Sequence, residues 1–245
     1  MSTNQTGHEQ NVVNLGIILN SVSTFKDSYN PSQDDLTIAG LTRIRSEGEK
    51  VNAAVTSAEN VFKNSISART SSFDQFDIYI TRIINAMRIS RAPEQTILQA
   101  ENIVREIRGK RANPKPVVGA KISGVETTIP RQMTLHNTNM ARKIENFNKL
   151  VQFLTGVAEY KPNEADISIA GLNSKLAELK MLTAGYVAAN AALDAARLER
   201  NTILYSKNRG LVEVALDVKL YVKSVFGATS PQYKGISDIV FSRYK

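Results

Sequence analysis

Tyr29-Asn30-Pro31-Ser32-Gln33-Asp34-Asp35-Leu36-Thr37-Ile38-Ala39-Gly40-Leu41 returns 131 residues later as Tyr160-Lys161-Pro162-Asn163-Glu164-Ala165-Asp166-Ile167-Ser168-Ile169-Ala170-Gly171-Leu172. The Tyr, Pro, Asp, Ile, Ala, Gly and Leu are identical, and most other pairs are conservative, in a stretch free of low-complexity bias. Such a match at fixed offset is the mark of an internal duplication. Downstream it continues weakly, with Glu47 on Glu178, Ala53 on Ala184, Phe62 on Leu193 and Arg69 on Arg200. Upstream, Val13, Leu19 and Val22 fall on Ile144, Leu150 and Phe153. Ala92-Pro93-Glu94 meets Ser230-Pro231-Gln232 only if the second copy has gained seven residues, placed around Tyr205 to Leu211.

Each copy carries a helix start. Ser32 and Asn163 are suitable N-caps, with Asp35 and Asp166 three residues on, and the preceding Pro31 and Pro162 cannot continue an earlier helix. Beyond Pro162, Leu172, Leu176, Leu179, Leu182, Tyr186, Ala189, Leu193 and Ala196 recur at three- and four-residue steps, the spacing of one apolar helical seam. That predicts one helix over about 163–205, roughly 60 Å long at 1.5 Å per residue. The first copy repeats the stripe through Leu36, Leu41, Ile44, Val51, Val55, Ala58, Phe62 and Ile66. Shorter helices are expected at 9–28, 73–90, 94–109, 134–158 and 210–226, and a short extended piece at 236–241. An amphipathic helix must cover its apolar side, so a bundle follows.

The expected fold is therefore all-α: an elongated helical bundle of two tandem repeats with long amphipathic helices. Residues 1–109 form the first repeat, 110–131 a basic linker punctuated by Pro114, Pro116, Gly119, Gly124 and Pro130, and 132–245 the second repeat with an irregular tail.

Composition narrows the classes. A chain of 245 residues with 42% hydrophobic content can bury a core. The absence of cysteine removes disulfides, thiolate metal sites and cysteine nucleophiles. The first ten residues have neither the cationic start nor the apolar centre of a secretion signal and read as an uncleaved polar tail, pointing to the cytoplasm. No apolar run reaches the roughly 20 residues of a membrane span. The formal charge of +8 is spread evenly, with 16 basic and 13 acidic residues in 1–131 against 15 and 10 in 132–245.

Three stretches carry a resemblance. Tyr160-Lys161-Pro162-Asn163-Glu164-Ala165-Asp166, the preceding Ile144-Glu145-Asn146-Phe147-Asn148-Lys149-Leu150, and Tyr221-Val222-Lys223-Ser224-Val225-Phe226-Gly227-Ala228-Thr229-Ser230-Pro231-Gln232-Tyr233 resemble an uncharacterised family of internally duplicated all-helical proteins of Bacteroidota-type bacteria. The resemblance implies duplication, helicity and a bacterial cytoplasmic setting. It brings no assigned activity, cofactor or catalytic residue.

The residues offer little catalytic chemistry. His8 sits in the polar tail, and His136 has neither a Glu three residues before it nor a second His at helical spacing, so it reads as a helix-start residue. Asp34 with Asp35 and Glu47 with Glu49 point to different helix faces and suit capping or solvation better than paired acid and base. Gly119-Ala120-Lys121-Ile122-Ser123-Gly124 has the glycine spacing of a phosphate loop, but Val125 and Glu126 stand where Lys and Ser or Thr are required. No catalytic, metal or cofactor residue is expected.

Two surfaces remain. Arg105, Arg108, Lys110, Arg111, Lys115 and Lys121 are the candidate anion-binding cluster, although a charged linker after a helix C-terminus explains them better and no aromatic residue interleaves for base stacking. Tyr233, Ile236, Ile239 and Phe241 are the candidate self-association residues, with more apolar character than a solvated terminus needs. They must pack either on their own bundle or on a partner. The expected role is a non-enzymatic structural or interaction protein, a self-assembling bundle whose partner is another copy or another protein. The alternative is a peripheral binder of nucleic acid or anionic lipid. A helical toxin or pore-forming protein is less favoured, because no long apolar hairpin is available to insert.

Overall fold

The computed structural model describes residues 3–109, 135–207 and 209–243. The linker residues Lys110, Arg111, Lys115 and Lys121 lie outside the described residues, as does the side chain of His136. The fold is all-α, and no strand occurs among the described residues. Its helices are α1 (Thr3–Ser23), α2 (Ile38–Asp74), α3 (Phe76–Ile89), α4 (Glu94–Ile107), α5 (Leu135–Thr155), α6 (Ile169–Tyr205), α7 (Leu211–Phe226) and α8 (Pro231–Ser237).

The two matched segments fold alike locally, but not as caps at Ser32 and Asn163. A short 3-10 turn, Asp34–Leu36, precedes α2, which begins only at Ile38. The hydroxyls of Thr37 and Ser168 do the capping: they accept from the N–H of Gly40 (3.1 Å) and Gly171 (3.2 Å) and donate to the carbonyls of Asp34 and Ala165 (both 2.7 Å). A Cβ on Gly40 or Gly171 would collide with the carbonyl oxygen of Asp34 or Ala165, so the folded-back turn admits only glycine there. Tyr29 and Tyr160 complete the turn, donating their buried hydroxyls to the carbonyls of Leu36 (2.6 Å) and Ile167 (2.8 Å). Identical residues thus recur where one compact turn requires them.

The apolar stripe of α6 is buried at Leu172, Leu176, Leu179, Ala189 and Leu193 and half-buried at Leu182, Tyr186 and Ala196. In α2, Leu41, Ile44, Val51 and Val55 are buried, whereas Ile66 is exposed. The expected extended piece at 236–241 is instead the end of α8 followed by irregular chain. Ser230 caps α8 by accepting from the Tyr233 N–H (3.1 Å), with Pro231 in the first turn.

Compactness follows a different division from the expected one into 1–109 and 132–245. Unit A comprises Met1–Asn64 and Ala188–Lys245, and unit B comprises Ser65–Val187. Unit A holds α1, most of α2, the end of α6, α7 and α8. Its core combines Leu15, Ile18, Val22, Leu41 and Ile44 with Leu204, Leu211, Val214, Val218 and Ile236. Unit B holds the end of α2, α3, α4, α5 and the start of α6. Its core combines Phe76, Ile80, Ile83, Met87 and Val104 with Phe147, Leu150, Leu154, Leu172 and Leu179, and Phe76 meets Phe147 edge-on at 5.3 Å between ring centroids. Each core therefore draws on chain from both sides of residues 110–134.

Burial also corrects the registers read upstream and downstream of the matched turn. Val12, Leu15, Ile18, Leu19 and Val22 in α1 match Ile144, Phe147, Leu150, Val151 and Leu154 in α5 at an offset of 132, all of them buried. Even the buried amides Asn14 and Asn146 correspond. The connection from α1 to Tyr29 is one residue longer than that from α5 to Tyr160, which accounts for the slip. Phe76, Ile80, Ile83 and Met87 in α3 match buried Leu211, Ala215, Val218 and Val222 in α7 at an offset of 135.

Candidate interaction groove and the polar clasp beside it

Unit A carries an open groove of about 630 Å³ between α1 and α2. Glu9, Val12 and Val13 of α1 form one wall, and Arg45, Glu49, Asn52, Ala53, Thr56, Ser57 and Asn60 of α2 form the other. The helices meet closely because Gly48 has no side chain: a Cβ there would lie 2.9 Å from both Leu211 and Val12. Gly16 likewise lets the Arg45 guanidinium lie against α1, where Arg45 Nε donates to Glu49 Oε1 at 3.0 Å. Val13 is 54% exposed at the groove, and Ile17, one turn on, is 46% exposed. The surface is an apolar strip rimmed by amides, hydroxyls and one ion pair, the composition that suits an amphipathic partner.

Beneath α1 lies a buried polar cluster that the sequence reading missed. His8 is not in a solvated tail: α1 starts at Thr3, and His8 is 7% exposed. Its Nδ1 shares a 2.6 Å hydrogen bond with the Tyr205 hydroxyl, which also accepts from Asn11 Nδ2 at 3.2 Å. Burial, and then the nearby Arg200 charge, lower the His8 pKa, favouring the neutral ring. Asn11 clamps the C-terminal segment as a peptide group would, donating to the Ser242 carbonyl and accepting from the Ser242 N–H, both at 2.9 Å. Asn14 donates to the Val240 carbonyl at 2.7 Å. From the other side, the Lys219 ammonium donates to the carbonyls of Ser237 (3.0 Å) and Ile239, and burial lowers its pKa. A signal existed: His8, Asn11 and Asn14 share helical spacing with Leu15, Ile18 and Val22, so they stand on the apolar face of α1.

The tail residues pack on unit A's own core. Ile236 is fully buried, and Tyr233, Ile239 and Phe241 lie against the same cluster. Of the basic residues, Arg105 and Arg108 are half-buried at the end of α4, and Arg108 donates to the Thr81 hydroxyl at 2.7 Å. The carboxylates read as cap or solvent groups are in exposed ion pairs: Asp35 with Arg43 (2.8 Å), Glu47 with Arg43 (3.6 Å) and Glu49 with Arg45 (3.0 Å). Asp166 does not reach back to its helix start. It is held by the Arg82 guanidinium, with Arg82 Nη2 donating to Oδ1 at 3.1 Å, and that hydrogen bond keeps its pKa below the usual carboxylate value. No group of three or more His, Asp or Glu residues suited to a metal ion occurs among the described residues, and no described helix is long and apolar enough to cross a membrane.

Compared with known proteins, the chain matches no family model, no curated protein and no solved structure.

Proposed function

We propose that this chain is a non-enzymatic structural or interaction protein that self-associates as a helical bundle. The observation that carries this reading is the α1/α2 groove, where Val13 and the adjoining Ile17 stand exposed one turn apart beside a polar rim. Burying the exposed half of two such aliphatic side chains against a partner helix would contribute about 1 kcal/mol each. The groups with most potential for chemistry hold the scaffold: His8 and Tyr205 bond each other, Asn11 and Asn14 bind the tail backbone, and Asp166 pairs with Arg82. Protein is the partner class that this surface suits best, with a second copy first among them.

Light scattering on the full chain over a wide concentration range tests the reading. Mass should rise with concentration, and Val13→Glu with Ile17→Glu should hold the chain at monomer mass with unchanged circular dichroism. A wild-type chain that stays monomeric throughout would remove self-association, and an undiminished mass in the double variant would remove the groove.

A further inference from the structure

We infer that the chain can associate with a second copy by exchanging halves, residues 3–109 of one chain completing both cores with residues 135–243 of the other. This gives the proposed self-association a mode and rests on that reading. Both cores are composite. Unit A places Leu15, Ile18, Val22 and Leu41 from the first half against Leu211, Val214, Val218 and Ile236 from the second. Unit B places Phe76, Ile83, Met87 and Val104 from the first half against Phe147, Leu150, Leu172 and Leu179 from the second. α1 packs on α7 and α8, and α4 packs on α5 as well as on its sequence neighbour α3.

Each core thus mixes apolar side chains of both halves. The only covalent connection between them is the segment 110–134. Joining the halves in one chain sets the effective concentration at which they meet, and a second copy offers the same complementary surfaces in trans. Polar pairs would be remade alongside the cores. In unit A, Arg197 of α6 meets Glu59 of α2 at 3.2 Å, and Asn11 of α1 grips Ser242. In unit B, Arg82 of α3 meets Asp166 before α6. Every one of these joins the first half to the second. Two chains that exchange reciprocally close as a dimer, and three or more that exchange in sequence make a ring or an open chain.

Because the sequence contains no cysteine, single thiols report connectivity cleanly. Full-length Glu59→Cys, at a half-buried position, and full-length Arg197→Cys, at an exposed one, are mixed, unfolded, refolded together at high concentration and treated with a short bis-maleimide. A crosslinked dimer whose peptides join residue 59 of one chain to residue 197 of the other is expected. The pair Arg82→Cys and Asp166→Cys should give the same result for unit B. The double variant Glu59→Cys/Arg197→Cys refolded at high dilution should crosslink within one chain, showing that the reagent spans the site in the folded protein. Refolded mixtures that yield no interchain 59–197 or 82–166 product overturn the exchange. If light scattering still shows concentration-dependent mass in that case, self-association through the groove survives, and constant monomer mass defeats both.

Discussion

Unit A and unit B bury an arginine at corresponding places on their long helices, Arg200 in α6 and Arg69 in α2, 131 residues apart. Arg69 meets a thioether and a ring: its Nε lies 3.2 Å from the Met140 sulfur, and its guanidinium sits 4.3 Å from the Tyr186 ring centroid. In unit A the position matching Met140 is His8, bonded to Tyr205, and the Arg200 charge acts on both. These positions thus share a buried cation while the chemistry beside it differs. Titration is the property that separates the units, since an imidazole takes up a proton in a range where a thioether cannot.

The largest expected effect concerns what the units share. Gly40→Ala and Gly171→Ala each force a methyl group into backbone and should destabilise the chain by about 3 kcal/mol in denaturant unfolding. A much smaller loss at only one site would show that one turn can open where the other cannot. Next, Tyr29→Phe and Tyr160→Phe should each cost about 1–2 kcal/mol, because a buried carbonyl loses its donor.

Burial raises both of these phenols, and Tyr79 is pushed up to about 12. The stability they contribute is present below the unfolded value of 10.0 and should fall as pH rises through the folded values. Urea midpoints between neutral and strongly alkaline pH would check this.

The acid side should distinguish the units. His8 has a folded pKa below its unfolded 6.5, so the unfolded chain binds the proton first. Its contribution is present above 6.5 and is lost as pH falls through the folded value. His8→Met, which copies Met140, should flatten the decline in melting temperature below that pH, and an unchanged acid limb would contradict the assignment. The smallest effect belongs to the exposed Arg82–Asp166 pair, where Asp166→Asn should leave the urea midpoint nearly unchanged.

Helix content and the long seams were legible in the sequence because their periodicity is strong and uninterrupted. So was the recurrent turn, although its mechanism was not: Ser32 looks like a cap, yet the 3-10 turn at Asp34 moves the helix start to Thr37. The reason for the glycine appears only when the carbonyl of Asp34 or Ala165 is seen above it. His8 was hidden by the polar residues around it, and only its spacing from Asn11 and Leu15 betrays the buried face. Composite cores were not legible at all, because periodicity shows that a face is apolar without naming which half of the chain covers it. The groove is likewise a product of packing, set by Gly48 closing α2 on Val12 and Leu211.

Central to the fold, α1 shares its core with α7 and not with α3, α4 or α5. Native-state hydrogen exchange on full-length Val218→Ala tests it most directly. This change opens a cavity in α7 and should destabilise unit A by about 1–3 kcal/mol. Amides across Val12–Val22 should then exchange faster by a larger factor than those across Ile144–Leu154 or Ile80–Met87. Acceleration confined to α7, or shared more strongly by α3 and α5 than by α1, would contradict the account.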